Sequence, residues 1–208
     1  QVVLENGFVY TLSDNDDTGL VNNILNTGSI VAQEDVLIRT YNGNIENKNI
    51  ITSYAGSVMM EALQSEQYLP DQVNPIIVGQ LKNTDTDNAT SNADITANKG
   101  ITLNAATSID NKGDFVVTGT GDIIVKAGDL VTNSGNYRIN GAGKIAVTAT
   151  GLTTTVSSEQ VTTGGDIINY GNYYTKSGNI TIESNEDVLN TGVMETESGN
   201  ISIISVDG

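Results

Sequence analysis

The stretch Ser177–Gly208 reads SGNITIESNEDVLNTGVMETESGNISIISVDG, and its internal echo decides the fold. Ser-Gly-Asn opens it at Ser177 and returns at Ser198, 21 residues later. Each copy leads into an alternating run, ITIES and then ISIIS. In an extended chain Ile180 and Ile182 point to one side and Thr181 to the other. So short a strand cannot bury its apolar side alone. It needs an identical neighbour, and the echo supplies one.

The run recurs upstream: DVLIRT (Asp35–Thr40), GSVMMEA (Gly56–Ala62), GITLNA (Gly100–Ala105), GDIIVKA (Gly121–Ala127), GKIAVTA (Gly143–Ala149), GNITIES (Gly178–Ser184) and GNISIIS (Gly199–Ser205). The starts lie 21, 44, 21, 22, 35 and 21 residues apart. We read the 44 as two periods, with room for a poorly matched coil on Ile76–Val78, and the 35 as one period plus about 14 residues. A second phrase, Asn-x-Gly behind an apolar residue, keeps step at Leu25–Gly28, Ile109–Gly113, Val131–Gly135, Ile168–Gly171 and Leu189–Gly192. Ile45–Asn49 is a variant with Asn in place of Gly.

Two phrases locked in phase predict a strand, a corner, a short strand and another corner in each unit. Gly and Asn suit corners because they tolerate left-handed backbone. Stacked units would pair their strands in parallel about 4.8 Å apart. Ile101/Leu103, Ile123/Val125, Ile145/Val147, Ile180/Ile182 and Ile201/Ile203 would form inward ladders. Asn26, Asn47, Asn111, Asn133, Asn169 and Asn190 would form an amide ladder, each satisfying its neighbour's backbone. This is an all-β parallel β-helix of about 21–22 residues per coil, and all 208 residues read as one rod segment. An up-and-down barrel does not require the phrase identity, a leucine-rich repeat carries denser Leu, and the nonapeptides of a calcium-binding roll are absent.

Composition narrows the function. Nine basic residues face 25 acidic ones, for a net charge of −16. Phosphate neutralisation needs Lys and Arg, so nucleic acid is not an expected partner. An anionic membrane surface is disfavoured in the same way, and no apolar stretch approaches the roughly 20 residues of a spanning helix. The chain has no His and no Cys, so the commonest bases, metal ligands and nucleophile activators are missing. No cofactor is implied. No signal peptide is visible, and Gln1 reads as a cut inside something longer.

Insertions in a solenoid project from one face, so breaks in the period are where binding is sought. Residues 63–98 form one break and hold Pro70 and Pro75, which central strands do not tolerate. Residues 150–164 form another, and their Thr and Val content predicts an added hairpin. Residues 1–23 read as irregular, and Asp14, Asp16 and Asp17 lie there. Those three are weak metal candidates, and TDTDN (Thr84–Asn88) is weighed in the same way. Their spacing is too compressed for a calcium loop and lacks its distal Glu, so a solvated acidic turn is the plainer reading. Tyr170, Tyr173 and Tyr174 are candidate binding residues for a glycan or protein, because aromatic rings with polar tips suit such surfaces. Corner packing is the competing reading for them.

The paired phrases GxIxIxA and xLxNxG resemble the filamentous haemagglutinin repeats of Gram-negative two-partner secretion exoproteins, over residues 20–62 and 99–205. That group includes adhesins, haemolysin-like proteins and contact-dependent inhibition proteins. Asn74-Pro75 is the one Asn-Pro, in an irregular stretch, so the group's N-terminal secretion domain is not recognisable here. The resemblance implies a right-handed β-helix that is exported to the cell surface. It also implies a TpsB-type outer-membrane transporter as export partner and a receptor or glycan on a host or neighbouring cell. The expected function is a structural and adhesive rod that mediates adhesion or presents a distal binding or toxin domain, without enzymatic activity. The alternative is a β-helix that binds or cleaves polysaccharide, which would need an open groove with carboxylates roughly 5–10 Å apart. An ice-binding Thr array is a weaker reading, because Thr148/Thr150 and Thr153/Thr155 do not recur in register.

Overall fold

A computed structural model describes residues 2–5, 8–11, 23–41, 43–63, 79–84, 93–156 and 159–207. Among these residues every helix or strand element is a strand. Strands β1 (Val2–Glu5) and β2 (Phe8–Thr11) pair antiparallel within the stretch expected to be irregular. The chain then winds through seven coils of three strands each. The first holds β3 (Ile24–Asn26), β4 (Ile30–Ala32) and β5 (Val36–Tyr41). The second holds β6 (Ile45–Asn47), β7 (Ile51–Ser53) and β8 (Ser57–Leu63). The third holds β9 (Leu81–Asn83), β10 (Ile95–Ala97) and β11 (Gly100–Ala105). The fourth holds β12 (Ser108–Asn111), β13 (Phe115–Val117) and β14 (Ile123–Ala127). The fifth holds β15 (Leu130–Asn133), β16 (Tyr137–Ala142) and β17 (Ile145–Ala149). A hairpin follows, β18 (Leu152–Val156) with β19 (Glu159–Thr163). The sixth coil holds β20 (Asp166–Asn169), β21 (Tyr173–Ser177) and β22 (Ile180–Ser184). The seventh holds β23 (Val188–Asn190), β24 (Met194–Thr196) and β25 (Ile201–Ser205).

The first strands of all coils make one seven-stranded parallel sheet, the second strands another, and the third strands a third. The molecule is a right-handed parallel β-helix. Period-2 alternation does the sorting. In β11, Ile101, Leu103 and Ala105 are buried while Thr102 and Asn104 face outward. In β22, Ile180 and Ile182 are buried and stand opposite Ile145 and Val147 of the coil below. Each such side chain, once enclosed, contributes about 1.5–3 kcal/mol relative to exposure. Stacking at about 4.8 Å makes the enclosing surface.

The structure corrects the reading of the 44-residue interval. Strand β8 pairs directly with β11, Val58 opposite Ile101 and Met60 opposite Leu103, so no coil stands between them. The interval is a single coil that holds β9 and β10, with its extra residues falling between β8 and β9 and between β9 and β10. The expected insertion over 63–98 therefore contains two core strands. Leu81 takes the place held by Ile45 and Ile109, and Ile95 stands between Ile51 and Phe115. Pro70, Pro75 and Ile76–Val78 lie outside the described residues. The Thr-rich break at 150–164 is an antiparallel hairpin, with the Thr153 and Thr162 hydroxyls 3.1 Å apart across it.

The corner glycines divide: Gly178 of the Ser-Gly-Asn corner has a positive φ of 146°, as expected, while those of the Asn-x-Gly phrase have a different reason. Gly113, Gly135, Gly171 and Gly192 of the Asn-x-Gly phrase do not adopt left-handed backbone. A Cβ on Gly135 would sit 1.9 Å from the Gly113 carbonyl oxygen, and one on Gly171 would sit 1.8 Å from that of Gly135. The glycine lets one coil's corner settle directly on the next. Gly28, in the first coil, has nothing within 4 Å of that position.

Candidate functional site

Two ladders of polar side chains run along the corners, and both begin in local sequence. The inner one stands at the end of the first sheet. It holds Asn26, Asn47, Asn111, Asn133, Asn169 and Asn190, and also Asn83, which the phrase search does not find. Each Nδ2 donates to the Oδ1 of the next coil's Asn at 2.7–2.8 Å. From Asn47 onward each Nδ2 also donates at 2.7–2.9 Å to a carbonyl at the corner of its own coil. The backbone served is thus the residue's own coil and not its neighbour's. The side chains of Asn47, Asn83, Asn111, Asn133 and Asn169 are fully buried, which such complete pairing makes tolerable.

The outer ladder lies on the exposed corners, where an Asp or Asn oxygen accepts the backbone N–H of the following coil. Before the second sheet it runs from Asp94 to Asp114, Asn136, Asn172 and the N–H of Val193, at 2.8–3.2 Å. Before the third sheet the same bond joins Asp35 to Ser57, Asp122 to Lys144, and Asn179 to Asn200. Before the first sheet it joins Asn23 to Asn44, Asn44 to Gln80, and Asp166 to Asp187. Asp35, Asp94, Asp114, Asp122 and Asp166, with the corner asparagines, thus close corners. Asp14, Asp16 and Asp17, and residues 85–88, lie outside the described residues. Among the described residues no group of three or more Asp or Glu is placed to hold a metal ion.

The three candidate tyrosines do not form one site. Tyr173 points into the core and is fully buried. Its ring stacks at 4.7 Å on Tyr137, whose ring stacks at 4.7 Å on Phe115. These rings occupy the inward position of the second sheet, four residues after a ladder Asn in each case. That spacing in the sequence would have placed Tyr173 inside. Neither buried hydroxyl has a hydrogen-bond partner. Burial pushes both phenols well above the ordinary tyrosine value. The nearby amides of Asn111 and Asn133 draw Tyr137 and Tyr173 back a little without reaching hydrogen-bond geometry.

Tyr174, the next residue along the strand, faces outward. Its ring lies 5.1 Å from the Arg138 guanidinium, and its hydroxyl donates to Glu197 at 2.5 Å. The Glu197 carboxylate holds this phenol above its usual range. Tyr174 is therefore engaged along its own ladder. Of the three, Tyr170 alone is exposed, at the corner after Asn169.

Two of the concavities on the described surface bear on polysaccharide cleavage. One, about 300 Å³, is lined by Asn23, Leu25, Asn44, Glu46, Gln80 and Lys82 among others. The other, about 160 Å³, is lined by Thr148, Thr150, Glu183, Asn185 and Val206 among others. Each contains a single carboxylate, Glu46 or Glu183, and Glu46 is bridged to Lys48 at 3.2 Å. Neither presents the carboxylate pair that glycoside cleavage uses. On the third sheet Arg39 faces outward, as its place in the run predicts, and its Nε donates to Glu61 at 2.6 Å.

No protein-family model, curated protein or solved structure gives a significant match to this chain.

Proposed function

We propose that this chain is a structural and adhesive rod segment of a large exoprotein displayed on the surface of a Gram-negative bacterium. Its work is mechanical: it holds a binding or effector domain away from the cell, or offers its flank to a receptor or glycan. The observation that supports this most is the continuity of the three sheets through all seven coils. Six steps of about 4.8 Å give about 29 Å of rod. Stability in such an array is a sum of coil-to-coil interfaces, so length can be added without redesign. Export through a TpsB-type transporter belongs to the same proposal and rests on the resemblance of the repeat phrases alone.

The test is display. An antibody raised against this chain should label intact cells of the source bacterium, and protease added outside should remove the label. Labelling only after permeabilisation contradicts the proposal.

A further inference from the structure

Tyr54 is 64% exposed, the most exposed of the large apolar and aromatic side chains among the described residues. It belongs to the second coil, whose strand β7 is paired on both sides. Ser53 points inward, and Tyr54 follows it onto the outer face, at the corner between the second and third sheets. Ile50 and Thr52 precede it on the same outer face, and Ile50 is 41% exposed. The register sets Ala32, Ser53, Ala97, Val117 and Ile139 opposite one another, one to a coil. The residues that follow them are Gln33, Tyr54, Asn98, Thr118 and Asn140. None of the five is charged, in a chain of net charge −16. The next two places in this row hold Lys176 and Glu197, so the neutral run ends there.

Asn98 is half-buried and the other four are exposed. Asn98 Nδ2 lies 3.5 Å from the Thr118 hydroxyl, so the row is continuous across that step. Asn140 Oδ1 accepts from Arg138, which leaves its Nδ2 to face outward. The row runs along the rod axis in steps of about 4.8 Å and covers about 19 Å over five coils. Each step is close to the length of one sugar ring in a linear chain.

The chemistry selects the occupant. An exposed tyrosine ring offers apolar area for the face of a pyranose, with a polar tip for its hydroxyls. Amides and hydroxyls placed around it fix orientation without calling for a charge on the ligand. A polyanion would be repelled by the net charge of −16. A basic partner would be drawn to the acidic surface elsewhere and gains nothing from a neutral row. A peptide adding as a strand needs an open sheet edge, and β7, β10, β13 and β16 are each paired on both sides. We propose that this row binds a neutral glycan chain lying along the rod. Tyr54 stacks on one ring, and Gln33, Asn98, Thr118 and Asn140 bond the hydroxyls of its neighbours. The proposal names the ligand class for the adhesive part of the function proposed above and rests on that part, not on export.

The experiment uses the full chain on a panel of immobilised oligosaccharides. The panel holds neutral chains of glucose, galactose, mannose and N-acetylglucosamine, with sulfated and sialylated counterparts. The parent should bind at least one neutral member. Tyr54→Ala should weaken that binding by about tenfold or more, and Tyr54→Trp should retain it. Tyr170→Ala, at the corner between the first and second sheets, should bind as the parent does. All three variants change exposed side chains and should melt with the parent. Binding to no neutral member, binding to charged members only, or equal binding by Tyr54→Ala overturns the proposal. Labelling of intact cells reads display separately. A chain that is displayed yet binds no neutral glycan sinks this proposal and leaves the rod, whereas a chain that binds through Tyr54 but is never displayed sinks the export reading alone.

Discussion

Asn133 shows what single residues do in this fold. Its amide accepts from Asn111, donates to Asn169 and donates to the Gly135 carbonyl, all out of water. Asn133→Ala removes all three bonds and strands their partners, each at about 1–3 kcal/mol. We expect a loss of at least about 3 kcal/mol, read from urea unfolding; a loss under about 1 kcal/mol would mean that the ladder contributes little. Ile182→Asp puts an unpaired charge in the core and should cost about 3–5 kcal/mol. A variant melting like its parent would show that the register is wrong. Tyr173→Phe runs the other way, because it removes a buried hydroxyl without a partner. It should stabilise by about 1 kcal/mol. The pH dependence follows from the raised phenols of Tyr137 and Tyr173. A group whose native pKa is raised keeps its contribution below the unfolded pKa and loses it above. The unfolded phenols release protons near pH 10, so stability should fall as pH rises past about 10. Tyr173→Phe should make that fall shallower in alkaline melts, and an unchanged slope would contradict the burial.

The corner is the element on which sequence and structure agree least, and for a spatial reason. The alternating runs were legible because inward and outward positions repeat every two residues along the chain. Five ladder asparagines were legible because Gly stands two residues later, and Asn47 because Asn49 takes that place. Asn83 was not, because residues 85–92 fall between it and Ala93, whose carbonyl it holds. Ala93 stands beneath Gly113 where a glycine would otherwise be. A ladder counts neighbours across coils, and there the spacing from Asn47 to Asn83 is 36 residues and from Asn83 to Asn111 is 28. Tyr173 was misjudged because it was grouped with Tyr170 and Tyr174 by proximity in the chain. The Asn-x-Gly glycine was assigned to backbone freedom, while the structure assigns it to close approach between coils. That difference can be measured with a matched pair. Gly135→Ala sets a Cβ against a carbonyl oxygen and should destabilise by about 1–3 kcal/mol. Gly28→Ala meets nothing and should fall within about 0.5 kcal/mol of the parent. Equal melting temperatures for the two variants would remove the packing explanation.

For the molecule as a whole, the claim is that seven coils stack in one unbroken register. The proposed function rests on the resemblance of the repeated phrases, because among the described residues the corners gather no metal-binding group of Asp or Glu to read. The register itself can be tested without ambiguity, because the chain has no cysteine. Met59 and Thr102 face outward and are direct partners across the 44-residue interval, while Thr102 and Ile124 are partners one coil further on. Adjacent coils bring Cα atoms within disulfide range, and coils two apart lie about 9.6 Å from each other, beyond it. The most direct measurement is oxidation of paired cysteine variants followed by non-reducing electrophoresis and mass mapping. The account predicts a near-complete disulfide for Met59→Cys with Thr102→Cys and none for Met59→Cys with Ile124→Cys. A chain that forms the second bond, or fails to form the first, is not stacked in this register.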